Sequence, residues 1–161
     1  MKVERLMNRD VATCRPNDVG DCAAKIMWER DCGFVPVVDE RFRVLGVVTD
    51  RDLCMAAYTQ GMSLSELRVH SAMSQEVFSC RPDDDLATAE KAMREHQVRR
   101  LPVADETGRL KGILSLSDIT REAAKEAKAQ SKNVEVSYSE VVETLADINI
   151  PRPVQEQGSV Y

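Results

Sequence analysis

Two short stretches place a hydroxyl side chain three residues ahead of a carboxylate: Thr49-Asp50-Arg51-Asp52 and Ser115-Leu116-Ser117-Asp118. A carboxylate accepts hydrogen bonds from two neighbouring ribose hydroxyls, and a hydroxyl beside the first free N–H groups of a helix holds phosphate. The same spacing describes a helix capping box, with the hydroxyl at the N-cap and the acid at N3. Capping and binding are compatible. Each stretch follows a glycine and aliphatic residues, in "GVVTDRDL" from Gly46 and "GILSLSDI" from Gly112. Neither has the spacing of a nucleoside triphosphatase loop. His70 and His96 are isolated, no Cys/His/Asp/Glu spacing describes a metal site, and no nucleophile–base pair is visible. The chemistry on offer is binding, and the chain is not expected to be an enzyme.

The two stretches belong to a larger duplication. Met7 placed on Met73 gives an offset of 73 − 7 = 66, and the segments then run without a gap to Leu53 and Ile119. Cys14-Arg15-Pro16 falls on Cys80-Arg81-Pro82, "PVVDE" from Pro36 on "PVADE" from Pro102, and Asp52 on Asp118. Each unit reads as strand, helix, strand, strand, helix. A short stretch, Val11–Thr13 or Val77–Ser79, ends at Arg-Pro, where proline turns the chain. Val19, Cys22, Ala23, Ile26 and Met27 then form one apolar helical face, matched by Leu86, Ala89 and Met93, with Asp84 or Asp85 placed to cap. Two apolar strands follow, "FVPVV" and "VLGVVT" in the first unit and "LPVA" and "LKGILS" in the second. They are joined by "DERFR" and "DETGR" turns, the latter with a glycine for positive φ. The closing helices are "DRDLCMAAYTQG", stopped by Gly61, and "SDITREAAKEAKAQ".

A unit of about 60 residues buries little surface alone, so two units are expected to pack sheet to sheet about a pseudo-twofold axis and share a core. The expected division is 1–65 for the first repeat with the N-terminal segment, 66–130 for the second, and 131–161 for a tail. In the tail Val142, Leu145 and Ile148 have helical spacing with Ser137 or Ser139 as cap, followed by a loose end. That helix either packs on its own chain or serves a partner or dimer contact.

The 161 residues are 43% hydrophobic and 30% charged, with a net charge of −5. This is a globular composition and a poor one for nucleic acid. "MKVERLMNRD" lacks the apolar region of a secretory signal, and no run approaches the roughly 18 apolar residues of a membrane span. Five cysteines, an odd number without Cys-x-x-Cys, point to a reducing, cytoplasmic compartment. The thiols at the twin positions Cys14 and Cys80 read as buried and inert, although basic neighbours lower a thiol pKa.

The duplicated unit, the Gly-Phe-Val-Pro-Val and Arg-Leu-Pro-Val strands and the terminal Thr/Ser-x-x-Asp resemble a tandem pair of CBS (cystathionine β-synthase) domains, a Bateman module, over about Val3 to Ala124. The resemblance implies an α/β (α+β) fold with two clefts between the repeats. These bind adenosine-containing ligands such as AMP, ADP, ATP, S-adenosylmethionine or NAD, and the module regulates another protein. It also implies pairing of modules, hence a homodimer. By this analogy Thr49, Asp52, Ser115 and Asp118 hold ribose and phosphate. Val35, Pro36, Leu101 and Pro102 line the base pocket, and the backbone of Thr13 and Ser79 meets the adenine edge.

The largest asymmetry between the repeats is Arg99-Arg100 against Gly33-Phe34. Strand alternation sends the arginines to opposite faces, one to solvent and one to phosphate. Phe34 stacks on a base or fills core, and Arg51 assists phosphate or pairs with a neighbouring aspartate. The second repeat's cleft is thus expected to prefer a charged phosphate tail and the first to be more apolar. The expected function is a sensor that binds an adenine nucleotide, with no metal or cofactor, and passes a change of shape or assembly to a partner protein. The rival is a ligand-free interaction module acting through its helix surfaces.

Overall fold

The computed structural model describes residues 1–128 and 135–150. The first repeat contains α1 (Gly20–Glu29), β1 (Phe34–Val38), β2 (Val44–Thr49) and α2 (Asp50–Gln60). A short helix α3 (Val69–Ala72) lies in the connection. The second repeat contains α4 (Leu86–His96), β3 (Arg100–Ala104), β4 (Leu110–Ser115) and α5 (Leu116–Lys128), and α6 (Tyr138–Ile148) follows. Each repeat thus has one small antiparallel sheet flanked by helices. The registers are twins: Phe34 opposes Thr49 and Pro36 opposes Val47, as Arg100 opposes Ser115 and Pro102 opposes Ile113.

The expected first strand of each repeat is reduced to one parallel bridge, Cys14 to Val37 and Cys80 to Val103. Cys14 N donates to Pro36 O at 3.2 Å, and Val38 N donates to Cys14 O at 3.0 Å. The next ladder bond would run from the nitrogen of residue 36 to the carbonyl of residue 12, and proline has no N–H to give. Pro102 ends the second ladder in the same way. The main chain at Val11–Ala12 and Val77–Phe78 is therefore outside either sheet.

The third position beside each sheet is filled from elsewhere in the chain. Ser74 exchanges both backbone hydrogen bonds with Val47, at 2.9 and 3.0 Å, and Asn8 does the same with Ile113 at 2.8 and 2.9 Å. The arm before each repeat therefore packs on the other repeat. Val3 and Met7 join the core of the second, with Leu86, Met93, Leu101, Leu114 and Ile119. Leu67 and Val69 join the core of the first, with Ala23, Met27, Val35, Val48 and Leu53. The N-terminal segment, expected with the first repeat, is part of the second in space. Two cores replace the single shared core expected, because each sheet finds its missing neighbour in an exchanged arm.

The repeated glycines serve this exchange. A Cβ on Gly46 would lie 2.7 Å from Ser74 O and 2.9 Å from Met73 Sδ; one on Gly112 would lie 2.7 Å from Asn8 O and 3.0 Å from Met7 Sδ. Any larger residue at either position collides with backbone as well as with the arm's methionine.

Local differences from the expectations have simple causes. Asp85 occupies the N-cap of α4 without a side-chain cap bond; its carboxylate pairs with Lys2 at 3.0 Å, while Asp84 Oδ2 accepts from Arg81 N at 2.7 Å. Gly61 ends α2 at φ 63°, and Gly108 turns its hairpin at φ 78°. Phe42, the twin of Gly108, holds φ 60° in the first hairpin, where its main chain accepts from Leu110 N at 2.9 Å. On α6 the buried residues are Val141, Thr144 and Ile148, while Val142 is 60% exposed. The packed face is rotated from the Val142–Leu145–Ile148 face expected, because α6 turns Thr144 toward Arg94. Of the tail, 129–134 and 151–161 lie outside the described residues. No helix among the described residues is long and apolar enough to cross a membrane.

Candidate functional site

The structure has two composite clefts related by the pseudo-twofold, each made from the hydroxyl–carboxylate pair of one repeat and the sheet-free segment of the other. One, of about 710 Å³, joins Thr49, Arg51 and Asp52 to Val77, Phe78, His96 and Arg99. The other, of about 530 Å³, joins Ser115, Asp118 and Arg121 to Val11, Ala12, Arg30 and Asp31. Phe34 and Arg100, twin residues at the start of β1 and β3, line both. These volumes suit a small-molecule ligand.

In the Thr49 cleft the pair forms a full capping box at the β2–α2 junction. Thr49 Oγ1 donates to Asp52 Oδ2 at 2.7 Å, Thr49 N donates to the same oxygen at 2.9 Å, and Asp52 N donates to Thr49 Oγ1 at 3.1 Å. The two bonds to the carboxylate both use Oδ2, which leaves Asp52 Oδ1 without a partner among the described residues. Arg51 and Arg100 have no ion-pair partner among the described residues. Phe78 and His96 stack with centroids 3.6 Å apart and planes 7° apart, giving this cleft an aromatic wall.

The Ser115 cleft repeats the capping geometry, with Ser115 Oγ to Asp118 Oδ2 at 2.6 Å and Asp118 N to Ser115 Oγ at 3.2 Å. Here the remaining oxygen, Asp118 Oδ1, is held by Arg121. Arg30 pairs with Asp10 at 2.9 Å. Opposite charges that elsewhere would face a ligand are bonded to each other.

Among the residues expected at the site, Thr49, Asp52, Arg99, Arg100 and Pro102 come together in one cleft, and Ser115, Asp118 and Arg100 in the other. The two arginines do not part to opposite faces; both line the Thr49 cleft. Val35 and Leu101 are corrected to core residues with no exposed surface. Alternation along β1 and β3 turns them inward, next to the cleft-lining Phe34 on β1 and between the cleft-lining Arg100 and Pro102 on β3. Thr13, Pro36 and Ser79 line neither cleft. The sheet-free segment approaches one residue earlier, at Val11–Ala12 and Val77–Phe78, because the ladder already closes at Cys14 and Cys80. The expected division into a phosphate-preferring second cleft and an apolar first one is also redrawn. Arg99–Arg100 of the second repeat line the same cleft as Thr49–Asp52 of the first, so the site draws its charged residues from both repeats.

Sequence reading missed Phe78, His96, Arg30 and Arg121. A signal for them existed: within a well-matched repeat their twins are unlike residues, Ala12, Arg30, His96 and Met55 respectively. The thiols of Cys14 and Cys80 are pushed up to about 12, first by burial and then by Asp18 and Asp84 respectively, and so are held as unreactive thiols. Among the described residues no group of three or more His, Cys, Asp or Glu could hold a metal ion.

Comparison with known proteins agrees with this architecture. Residues 3–58 and 65–125 each match the CBS domain. The chain is 32% identical over 139 residues to the CBS domain-containing protein YhcV of Bacillus subtilis, covering 86% of this chain and 97% of that one. It is 34% identical over 119 residues to the uncharacterized protein MK0525 of Methanopyrus kandleri, covering 74% of this chain and 61% of the relative's length. Among solved structures, CBSX2 in complex with AMP superposes with a TM-score of 0.68 at 26% identity, over 78% of this chain and 98% of that one. With both repeats matched and the paired clefts between them, this chain belongs to the CBS-domain family.

Proposed function

We propose that this protein is a regulatory module that binds an adenosine-containing nucleotide, AMP, ADP or ATP, in the Thr49 cleft and passes a change in conformation or assembly to a partner protein. One observation carries the reading: Asp52 Oδ1, a carboxylate oxygen without a partner among the described residues, lies in the same cleft as an aromatic wall and two guanidinium groups that have no ion-pair partner among those residues. In it the carboxylate accepts from the ribose hydroxyls, Arg51 and Arg100 face the phosphate, and the base packs by Phe78 and Pro102, near the free main chain at Val77–Phe78. The AMP complex of CBSX2, at 26% identity, supports an adenine nucleotide as the ligand class. The cleft offers no nucleophile–base pair, so the role is sensing rather than turnover.

Calorimetric titration with AMP, ADP, ATP, NAD and S-adenosylmethionine tests this on the wild type, Asp52→Ala and Asp118→Ala. Heat with an adenine nucleotide that disappears in Asp52→Ala supports it. Absence of heat with all five, the protein being folded, would leave the interaction module as the better account. That second reading is favoured by Trp28, 88% exposed on α1, and Tyr58, 80% exposed on α2. The homodimer proposed for this chain would use the same face, and Trp28→Glu should then yield monomers in sedimentation.

A further inference from the structure

The C-terminal helix reaches the Thr49 cleft. Helix α6 packs on α4 and α5 of the second repeat and is fixed at its far end by residues running from α4 into β3. Arg94 Nη1 donates to Thr144 Oγ1 at 3.0 Å, Gln97 Nε2 donates to Ile150 O at 3.3 Å, and Arg99 donates through Nη2 to Asn149 Oδ1. Gln97 and Arg99 also line the cleft. The same two residues therefore line the Thr49 cleft and hold the helix.

The first repeat shows what happens without these anchors. The twins of Arg94, Gln97 and Arg99 are Trp28, Asp31 and Gly33. Gly33 has no side chain to donate, Asp31 is an acceptor only when ionised, and Trp28 offers a single indole N–H in place of the Arg94 fork. The α1–α2 face carries Trp28 and Tyr58 exposed, whereas α6 packs on α4 and α5.

We propose that α6 is a latch over the α4–α5 face, released when the phosphate of a nucleotide in the Thr49 cleft draws the Arg99 guanidinium away from Asn149. This rests on the nucleotide reading above and adds its output: binding uncovers, on the second repeat, a helix face equivalent to the one already open on the first. The ligand acts only through its differential affinity for the latched and unlatched states, and the coupling is reciprocal.

Two features keep the latch marginal, as a switch requires. At 11 residues α6 is too short to be a stable helix by itself, so its helicity depends on docking. Beneath it lies Glu90, 2% exposed, whose Oε1 has no hydrogen-bond partner among the described residues and whose twin is Ala24. Burial raises the Glu90 pKa, Glu140 on α6 raises it further, and Arg94 on α4 opposes them. The docked state therefore favours the protonated carboxyl. Docking is tightest below the ordinary glutamate range and weakens as pH rises through the raised value of the docked state.

Amide hydrogen exchange of residues 141–148 in the full chain tests the latch. Without nucleotide, Arg99→Gln should speed exchange of these amides by roughly 3- to 10-fold, the value of one hydrogen bond, while α1 and α2 are unchanged. Glu90→Gln should slow it and flatten its rise with pH. Saturating AMP or ATP should speed it in the wild type. Asn149→Ala should bind that nucleotide more tightly by about the same factor, by reciprocity. Unchanged α6 exchange in Arg99→Gln would overturn the latch whether or not any nucleotide binds. Binding that leaves α6 exchange unchanged or slower would overturn the coupling while leaving the nucleotide reading intact. Absence of binding by AMP or ATP would remove the nucleotide reading and the coupling together, with the Arg99→Gln arm still deciding the latch.

Discussion

The two clefts share one backbone plan and differ in which charges are already bonded. Each has a capping box whose carboxylate turns one oxygen to the helix N-terminus. At Asp52 the other oxygen is open, because position 55 is methionine. At Asp118 it is taken, because the twin position is Arg121. The opposite walls differ likewise: Phe78 stacked on His96 in one, Ala12 and an Arg30–Asp10 ion pair in the other. Duplication supplied two equal frames. Substitution at a few twin positions left one with an open carboxylate oxygen and filled the other with the protein's own charges.

The sharpest way to break this contrast is to remove each carboxylate. Asp52→Ala should weaken nucleotide binding by about 10- to 100-fold, the range for a hydrogen bond to a charged group. Asp118→Ala should leave binding in the Thr49 cleft unchanged, as read by calorimetry. Equal losses would mean that the clefts act alike. Phe78→Ala should cost about tenfold in affinity through lost stacking, while Ala12→Phe should restore nothing. A smaller effect is expected from Arg121→Met, which frees Asp118 Oδ1. It should raise the calorimetric stoichiometry from one nucleotide toward two, with the second site the weaker. A stoichiometry still at one would show that Arg121 is not what closes that cleft. The smallest difference should separate Gly46→Ala from Gly112→Ala. Each should destabilise the fold by about 1–3 kcal/mol through overpacking. Their denaturation midpoints should nearly coincide, because the two frames are equivalent even where the linings are not.

Much of this architecture was legible in the chain. The offset of 66 located both units, and binary patterning placed the helices and hairpin strands. The Thr49 and Ser115 pairs were readable as capping boxes at strand-to-helix junctions. Less legible were features that depend on contacts far apart in sequence. The Val11–Thr13 stretch has strand composition, yet Pro36 on the neighbouring strand ends its ladder. Val35 and Leu101 sit within the expected site motifs, yet the pleat turns them into the cores. Gly46 and Gly112 were visible as repeated glycines, but the methionine arm packed against each came from the opposite repeat. Glu90 reads as an ordinary helix-surface acid until α6 is laid over it.

The sequence by itself determined the duplication, the element types and the chemistry of each side chain, because periodicity, turn residues and capping spacing are local properties. Tertiary structure alone decided which hydroxyl–carboxylate pair faces which arginines, which aspartate oxygen is left open, and that Arg99 links the cleft to Asn149. Those pairings join residues of different repeats or of the tail, and no local spacing encodes them. They follow from the arm exchange that closes each sheet, and from the pseudo-twofold that brings the start of one repeat against the end of the other.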